Sequence, residues 1–229
     1  MREHAADHER AVPRHLAVIP DGNRRYARKH ALSYADGYMA GARMALQVVH
    51  WCLDVGIEHL SGFGSSVDNL THRPPDDGRA IRAAVDWFCR EVRAVPGTSL
   101  AVFGEPEGSA GPVTGADRAP EAPARGRLVV HVARWYSGRR DLAAVAAAVP
   151  HCGAETVARE PERFLLSAAL PAVDLLLRTG GQRRLSGFLP LQTAYAELYF
   201  LDTLWAELTA DQFRSALGWF AAQERRFGE

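Results

Sequence analysis

The stretch His15-Leu-Ala-Val-Ile-Pro-Asp21-Gly-Asn-Arg-Arg25-Tyr-Ala-Arg-Lys29 changes character at its midpoint. Residues 15–20 are apolar and read as a buried strand. Asp-Gly-Asn breaks the run, and a basic segment of helical capacity follows. A strand that ends just before a helix start presents free backbone N–H groups and the positive end of the helix dipole. Such an arrangement seats an anion. Gly22 permits close approach, and Arg24, Arg25 and Arg28 add planar donors suited to phosphate. Asp21 is a carboxylate at an anion site, which fits if a hard cation such as Mg2+ bridges it to the anion. A capped strand–turn–helix with a solvated basic face reads the same residues equally well. The stretch alone does not decide between the two.

Working outward, residues 36–55 carry Met39, Ala42, Leu46, Val49 and Leu53 at helical spacing, with Gly56 placed as a C-cap. Residues 57–63 read as a second strand running into a polar loop, Gly64 to Pro75. A helix over 78–95, a strand over 99–103, a Gly/Pro/Ala-rich loop at 104–126 and a strand from 127 to 132 follow. An alanine-rich helix then runs to about residue 148, residues 161–169 read as helical, and 173–177 as a strand. The final helix begins near Thr209, whose spacing to Gln212 matches a capping box. Strands alternating with helices predict one α/β domain on a mostly parallel central sheet flanked by helices. Ligands of such sheets sit beyond the carboxyl ends of the strands. Three polar loops lie there, which puts Asp21, Asn69 and Arg178 on one rim and favours the anion seat over the bland reading.

With 229 residues, 47% of them hydrophobic, the chain is long enough for a substantial core. Its 27 basic and 27 acidic residues cancel, so no global charge argues for nucleic acid and local clusters must carry any anion binding. Cys52, Cys89 and Cys152 form no Cys-x-x-Cys pair and read as reduced core thiols of a cytoplasmic protein. Residues 1–14 form a charged tail without the apolar core of a signal peptide. No apolar run is long enough to span a bilayer.

A second basic cluster, Arg178-Thr-Gly-Gly-Gln-Arg-Arg-Leu-Ser186, joins paired glycines, three arginines and the Thr179 and Ser186 hydroxyls. A phosphate-cradling Gly-x-x-x-x-Gly-Lys loop, a Gly-x-Gly-x-x-Gly turn and a Gly-x-Ser-x-Gly elbow are all absent. His15 precedes a buried strand and reads as structural. A cation-bridged anion beside a second, metal-free one suits transfer of an alkyl group from one diphosphate to another compound of its class.

His15…Asp21-Gly-Asn-Arg-Arg-Tyr-Ala resembles the first signature of the cis-prenyltransferases, the undecaprenyl diphosphate synthase family. The resemblance continues through Ser66-Val-Asp-Asn69 with Arg73-Pro74, Tyr136-Ser-Gly-Arg139, Asp174 to Gly181, Arg184-Leu-Ser186, Ala194-Tyr-Ala-Glu197 and the closing Glu224 to Gly228. It implies that Asp21 and Glu197 are Mg2+ ligands. It places Gly22, Asn23, Arg24, Arg25 and Arg73 at the allylic diphosphate. Tyr26, Tyr34 and Tyr38 complete that set. Ser66 and Asn69 match positions of proton removal and substrate placement, and Arg178, Arg184 and Ser186 match the seat of the second diphosphate. It also implies a cytosolic homodimer acting on isoprenoid diphosphates.

Departures from the family pattern accompany the match. Tyr34 and Tyr38 replace an arginine and a histidine, Leu70 replaces a tryptophan, and Gln182 replaces a glutamate. Several changes are similar to cyclolavandulyl diphosphate synthase, a short-chain, irregular member. Trp87 and Phe88 lie on the helix that borders the growing chain in this family. The expectation is a Mg2+-dependent, short-chain condensation of dimethylallyl or geranyl diphosphate with a second isoprenoid diphosphate. Irregular coupling or cyclisation, and a non-catalytic partner subunit, are the alternatives.

Overall fold

The computed structural model describes residues 12–104 and 128–224. Most of the expected tail, nearly all of the 104–126 loop and the closing block beyond Glu224 lie outside the described residues. Six strands form one parallel sheet: β1 (His15–Ile19), β2 (His59–Phe63), β3 (Thr98–Gly104), β4 (Leu128–Arg134), β5 (Leu175–Arg178) and β6 (Glu197–Phe200). Their order across the sheet is β3-β4-β2-β1-β5-β6. Central β1 is buried along its whole length, which is why it reads as an uninterrupted apolar run instead of an alternating one.

Alternate residues of β1 still feed different layers. Leu16 and Val18 join the larger core with α2 (Tyr34–Val55), α4 (Pro75–Ala94) and α7 (Ala210–Ala221). Ala17 and Ile19 join a smaller one with Tyr136, Leu170, Phe188 and Leu189. Helix α1 (Asn23–Lys29) directly follows the β1 loop, α3 (Val67–Thr71) follows β2, and α5 (Gly138–Cys152) with α6 (Ala154–Arg159) follows β4.

The expected helices and strands form within a few residues of their predicted bounds, with one exception. Residues 161–169 contain only a 3-10 turn at Pro161–Phe164. Pro161 fits a first turn, but no side chain caps the start, and Leu165, with φ −70° and ψ 153°, is extended and ends it. Cys52 and Cys89 are buried as expected, whereas Cys152 is exposed at the end of α5 and belongs to no core. The sixth strand went unread because Glu197-Leu-Tyr-Phe is a four-residue edge segment, too short to show a period of its own.

Candidate active site

Strand order reverses between β1 and β5, because β1 is followed on one side by β2 and on the other by β5. In an open parallel sheet that reversal leaves a crevice at the carboxyl ends of the strands. Asp21 follows β1 there, and Arg178 ends β5, paired with Ile19. Arg178 Nη2 donates to Asp21 Oδ2 at 2.9 Å, and Arg25 Nη2 donates to Asp21 Oδ1 at 3.2 Å. Arg178 Nη1 also donates to Ser186 Oγ at 2.9 Å and to the Arg184 carbonyl. The two basic clusters therefore meet in one site.

The Asp21 loop is fixed from three sides. Thr179 Oγ1 donates to the Asp21 carbonyl at 3.0 Å, Trp205 N donates to the same oxygen at 3.0 Å, and Trp205 Nε1 donates to the Gly41 carbonyl at 2.8 Å. Gly22, at φ 114°, is the N-cap of α1 and provides no side-chain cap, so the first-turn N–H groups stay open for a ligand. Only glycine suits that backbone, and a Cβ there would also lie 2.9 Å from Leu204. Gly180 makes room in turn for the guanidinium of Arg25, since an added Cβ would lie 2.5 Å from its Nη2.

Around this rim, Arg24 sits 4.7 Å over the Tyr34 ring, with its Nε 3.6 Å from the buried Asp77. The Tyr34 hydroxyl and Asp77 hold the Arg24 pKa above its ordinary value. Arg73 Nη1 donates to the Tyr38 hydroxyl at 2.6 Å. Burial pushes the Tyr38 pKa up, so it stays a neutral phenol. Tyr26 packs on the ring of His30, centroids 4.4 Å apart. Asn23 turns its Oδ1 into a buried position against Gly41 without a hydrogen-bond donor. Ser66 is buried and bridges to Tyr136 beyond the end of β4. Asn69 belongs to α3, and its side chain is outside the described residues.

Two expected roles change. Thr179 is fully buried and ties the Asp21 backbone, so its hydroxyl is not an anion donor. The N–H groups of Gly180 and Gly181 bond the Thr203 and Leu201 carbonyls instead of standing open. Exposed Arg184 donates to Gln182 Oε1 at 2.5 Å. Glu197 begins β6 opposite Leu175, three residues along the pair from Arg178, roughly 10 Å at strand rise. One chain does not bring it to Asp21. Asp77 and Trp205 were missed in the sequence. An acid in the first turn of α4 and a tryptophan in a loop look ordinary until the fold sets them at the rim.

Behind the rim an apolar cavity of about 700 Å³, counting space open to solvent, runs between the sheet, α2 and α4. Pro20, Asn23 and Tyr38 line its entrance, and Val48 and Phe88 are the lining residues farthest along the two helices. From Tyr38 to Val48 an α-helix advances about 15 Å.

Among the described residues no cluster of three or more His, Cys, Asp or Glu side chains is built to hold a metal. Mg2+ gives up its water reluctantly and is commonly held by one or two carboxylates plus substrate phosphates. A lone carboxylate between two arginine seats fits that mode, and Asp21 is the residue to hold it.

The family model described as putative undecaprenyl diphosphate synthase matches residues 19–228. A ditrans,polycis-undecaprenyl-diphosphate synthase ((2E,6E)-farnesyl-diphosphate specific) of Xanthomonas axonopodis pv. citri is 39% identical, covering 95% of this chain and 89% of that protein. An isoprenyl transferase of Thermus thermophilus is 35% identical, with the same coverage of both chains. A solved structure of a probable undecaprenyl diphosphate synthase from Campylobacter jejuni superposes with TM-score 0.71 at 26% identity, covering 95% of this chain and 99% of that one. Lavandulyl diphosphate synthase from Lavandula x intermedia shares the fold, with TM-score 0.79 at 23% identity over 96% of this chain and 99% of that one. The chain belongs to the undecaprenyl diphosphate synthase family of prenyltransferases. No helix among the described residues is long and apolar enough to cross a membrane.

Proposed function

We propose that this chain is a Mg2+-dependent short-chain isoprenyl diphosphate synthase. It joins dimethylallyl or geranyl diphosphate to a second isoprenoid diphosphate and releases diphosphate. The observation that carries the reading is the cavity behind the Asp21 seat. Its volume of about 700 Å³ includes space open to solvent, so the enclosed part is smaller, and Phe88 lines it farthest along α4. An eleven-unit chain needs more room than that.

The allylic diphosphate sits against the open first turn of α1, with Gly22, Asn23, Arg24 and Arg25 around it and Arg73 beside it. The second diphosphate takes Arg178, Arg184 and Ser186. When bound, Mg2+ supplies charge neutralisation for the departing diphosphate. The arginines stabilise the same developing charge from fixed positions. The apolar walls keep water from the allylic cation, and Ser66 and Asn69 are assigned to proton removal and substrate placement. Glu197 joins the metal from a second copy of the chain. Its place on an edge strand, beside exposed Tyr195 and Leu198, supports a homodimer of that kind.

The test supplies Mg2+ and dimethylallyl diphosphate, with and without isopentenyl diphosphate, and identifies the dephosphorylated products by gas chromatography and mass spectrometry. A linear product of one or two condensations, formed only with isopentenyl diphosphate, is expected. A long polyprenyl product overturns the chain-length assignment. A branched or cyclic product from dimethylallyl diphosphate alone establishes the irregular reaction, the second reading, which the uncharged Tyr34 and Tyr38 at the rim favour. Asp21→Ala removes turnover if the chain is catalytic and leaves a mixed complex active if it is a partner subunit.

A further inference from the structure

We propose that Arg178 is a charge latch between the two seats. It blocks the cation site at Asp21 while the second seat is empty, and an anion arriving there releases it. The inference rests on Asp21 being the metal-binding carboxylate.

Arg178 is 3% exposed and permanently charged. One side of its guanidinium faces the first seat, through Nη2 to Asp21 at 2.9 Å. The other faces the second, through Nη1 to Ser186 Oγ and the Arg184 carbonyl. Both carboxylate oxygens of Asp21 are thus engaged by arginine, one by Arg178 and the other by Arg25. A divalent cation approaching Asp21 must sit beside two guanidinium groups and compete with them for its lone pairs. Two like charges in a partly buried crevice repel strongly.

The second seat holds what is needed to undo this. Ser186 Oγ accepts from Arg178, which leaves its own proton to donate. An oxyanion placed there accepts from Ser186 Oγ and competes with Asp21 for the guanidinium. As the ion pair loosens, one oxygen of Asp21 becomes available to the cation. Cation and anion therefore bind with positive coupling, and by linkage each favours the other equally. In turnover this delays the metal until the acceptor diphosphate is in place. The allylic diphosphate is then not ionised in a site where water is the only nucleophile.

The experiment titrates Mn2+ into the full chain by electron paramagnetic resonance, reading free Mn2+ and needing no turnover. Sulfate is the anion probe, with its own occupancy followed by calorimetry. In the wild type, Mn2+ affinity should rise about tenfold as sulfate fills the second seat. Arg178→Gln, checked for folding by circular dichroism, should bind Mn2+ about tenfold more tightly without sulfate and lose the sulfate dependence. Unchanged or weaker Mn2+ binding by folded Arg178→Gln overturns the latch. If that variant does not fold, wild-type Mn2+ affinity that stays flat while sulfate binds overturns it instead. Asp21→Asn separates the two levels. Mn2+ binding that survives this substitution refutes the metal-site reading itself, whereas loss there with no effect at Arg178 refutes the latch alone.

Discussion

Tyr38 spends its hydroxyl on Arg73, at 2.6 Å, just where the apolar cavity opens. A hydrogen bond to a charged group contributes about 1.5–3 kcal/mol. Tyr38→Phe keeps the ring that packs on α4 and removes the acceptor that aims Arg73. The Michaelis constant for the allylic diphosphate should rise about tenfold, with kcat nearly unchanged and stability lowered by up to about 1.5–3 kcal/mol. Steady-state kinetics with both substrates check this. An unchanged constant for the allylic substrate would mean that Arg73 is aimed by something else. The sequence exposed Tyr38 as a departure from its family but not its partner, because residues 38 and 73 meet only through the packing of α2 against α4.

At the scale of elements, α5 braces the second seat. A Cβ on Gly138 would lie 2.0 Å from the Gly187 carbonyl oxygen, so the start of α5 touches the loop that carries Ser186. Tyr136, Asp141, Ser167 and Gln192 lock this corner through bonds of 2.6–2.7 Å to the Asp141 carboxylate and the Ser167 hydroxyl. Gly138→Ala should therefore displace residues 186–187. The expected result is a loss of about 1–3 kcal/mol in stability and a raised Michaelis constant for the second substrate more than for the first. Urea unfolding and the two separate kinetic constants measure it. Equal effects on both substrates would count against the bracing role. Other element boundaries were legible directly. The Thr209–Gln212 capping box forms as read, and Gly56 closes α2 in the left-handed conformation. Each depends on chemistry within one or two turns, whereas the contact of Gly138 with Gly187 spans the sheet's edge.

For the whole molecule, three histidines meet at the sheet. His15 lies 5.7 Å from His59 and 5.9 Å from His131, ring to ring, and His59 Nδ1 is 3.1 Å from His131 Nε2. Nδ1 of His15 faces the Pro171 and Ala172 carbonyls and Nε2 faces Ser61, so the residue is structural, as the sequence suggested. Burial and neighbouring histidines lower the His15 pKa to about 4 and that of His131 to about 3, and His59 is also lowered. The unfolded chain binds these protons near pH 6.5 and the folded chain does not. Stability is then complete above pH 6.5 and falls as the pH drops toward 4. The slope is about 1.4 kcal/mol per pH unit for each histidine. Urea unfolding at pH 7.5 and pH 5 tests this, and His131→Asn should reduce the loss by roughly a third to a half, depending on the share of His59. Equal slopes in wild type and variant would remove His131 from the account.

The sequence by itself determined the α/β class, the caps, the uninterrupted apolar β1 and the two Gly/Arg clusters, because periodicity and turn chemistry are local. It also placed Asp21 and Arg178 on one rim, since strand ends in a parallel sheet share an edge. Only the tertiary structure decided that these two side chains join in an ion pair, that Glu197 lies about 10 Å down the neighbouring strand, and that Phe88 lines the cavity. Those facts depend on strand order and register between segments that local propensity does not connect, 157 residues apart for Asp21 and Arg178.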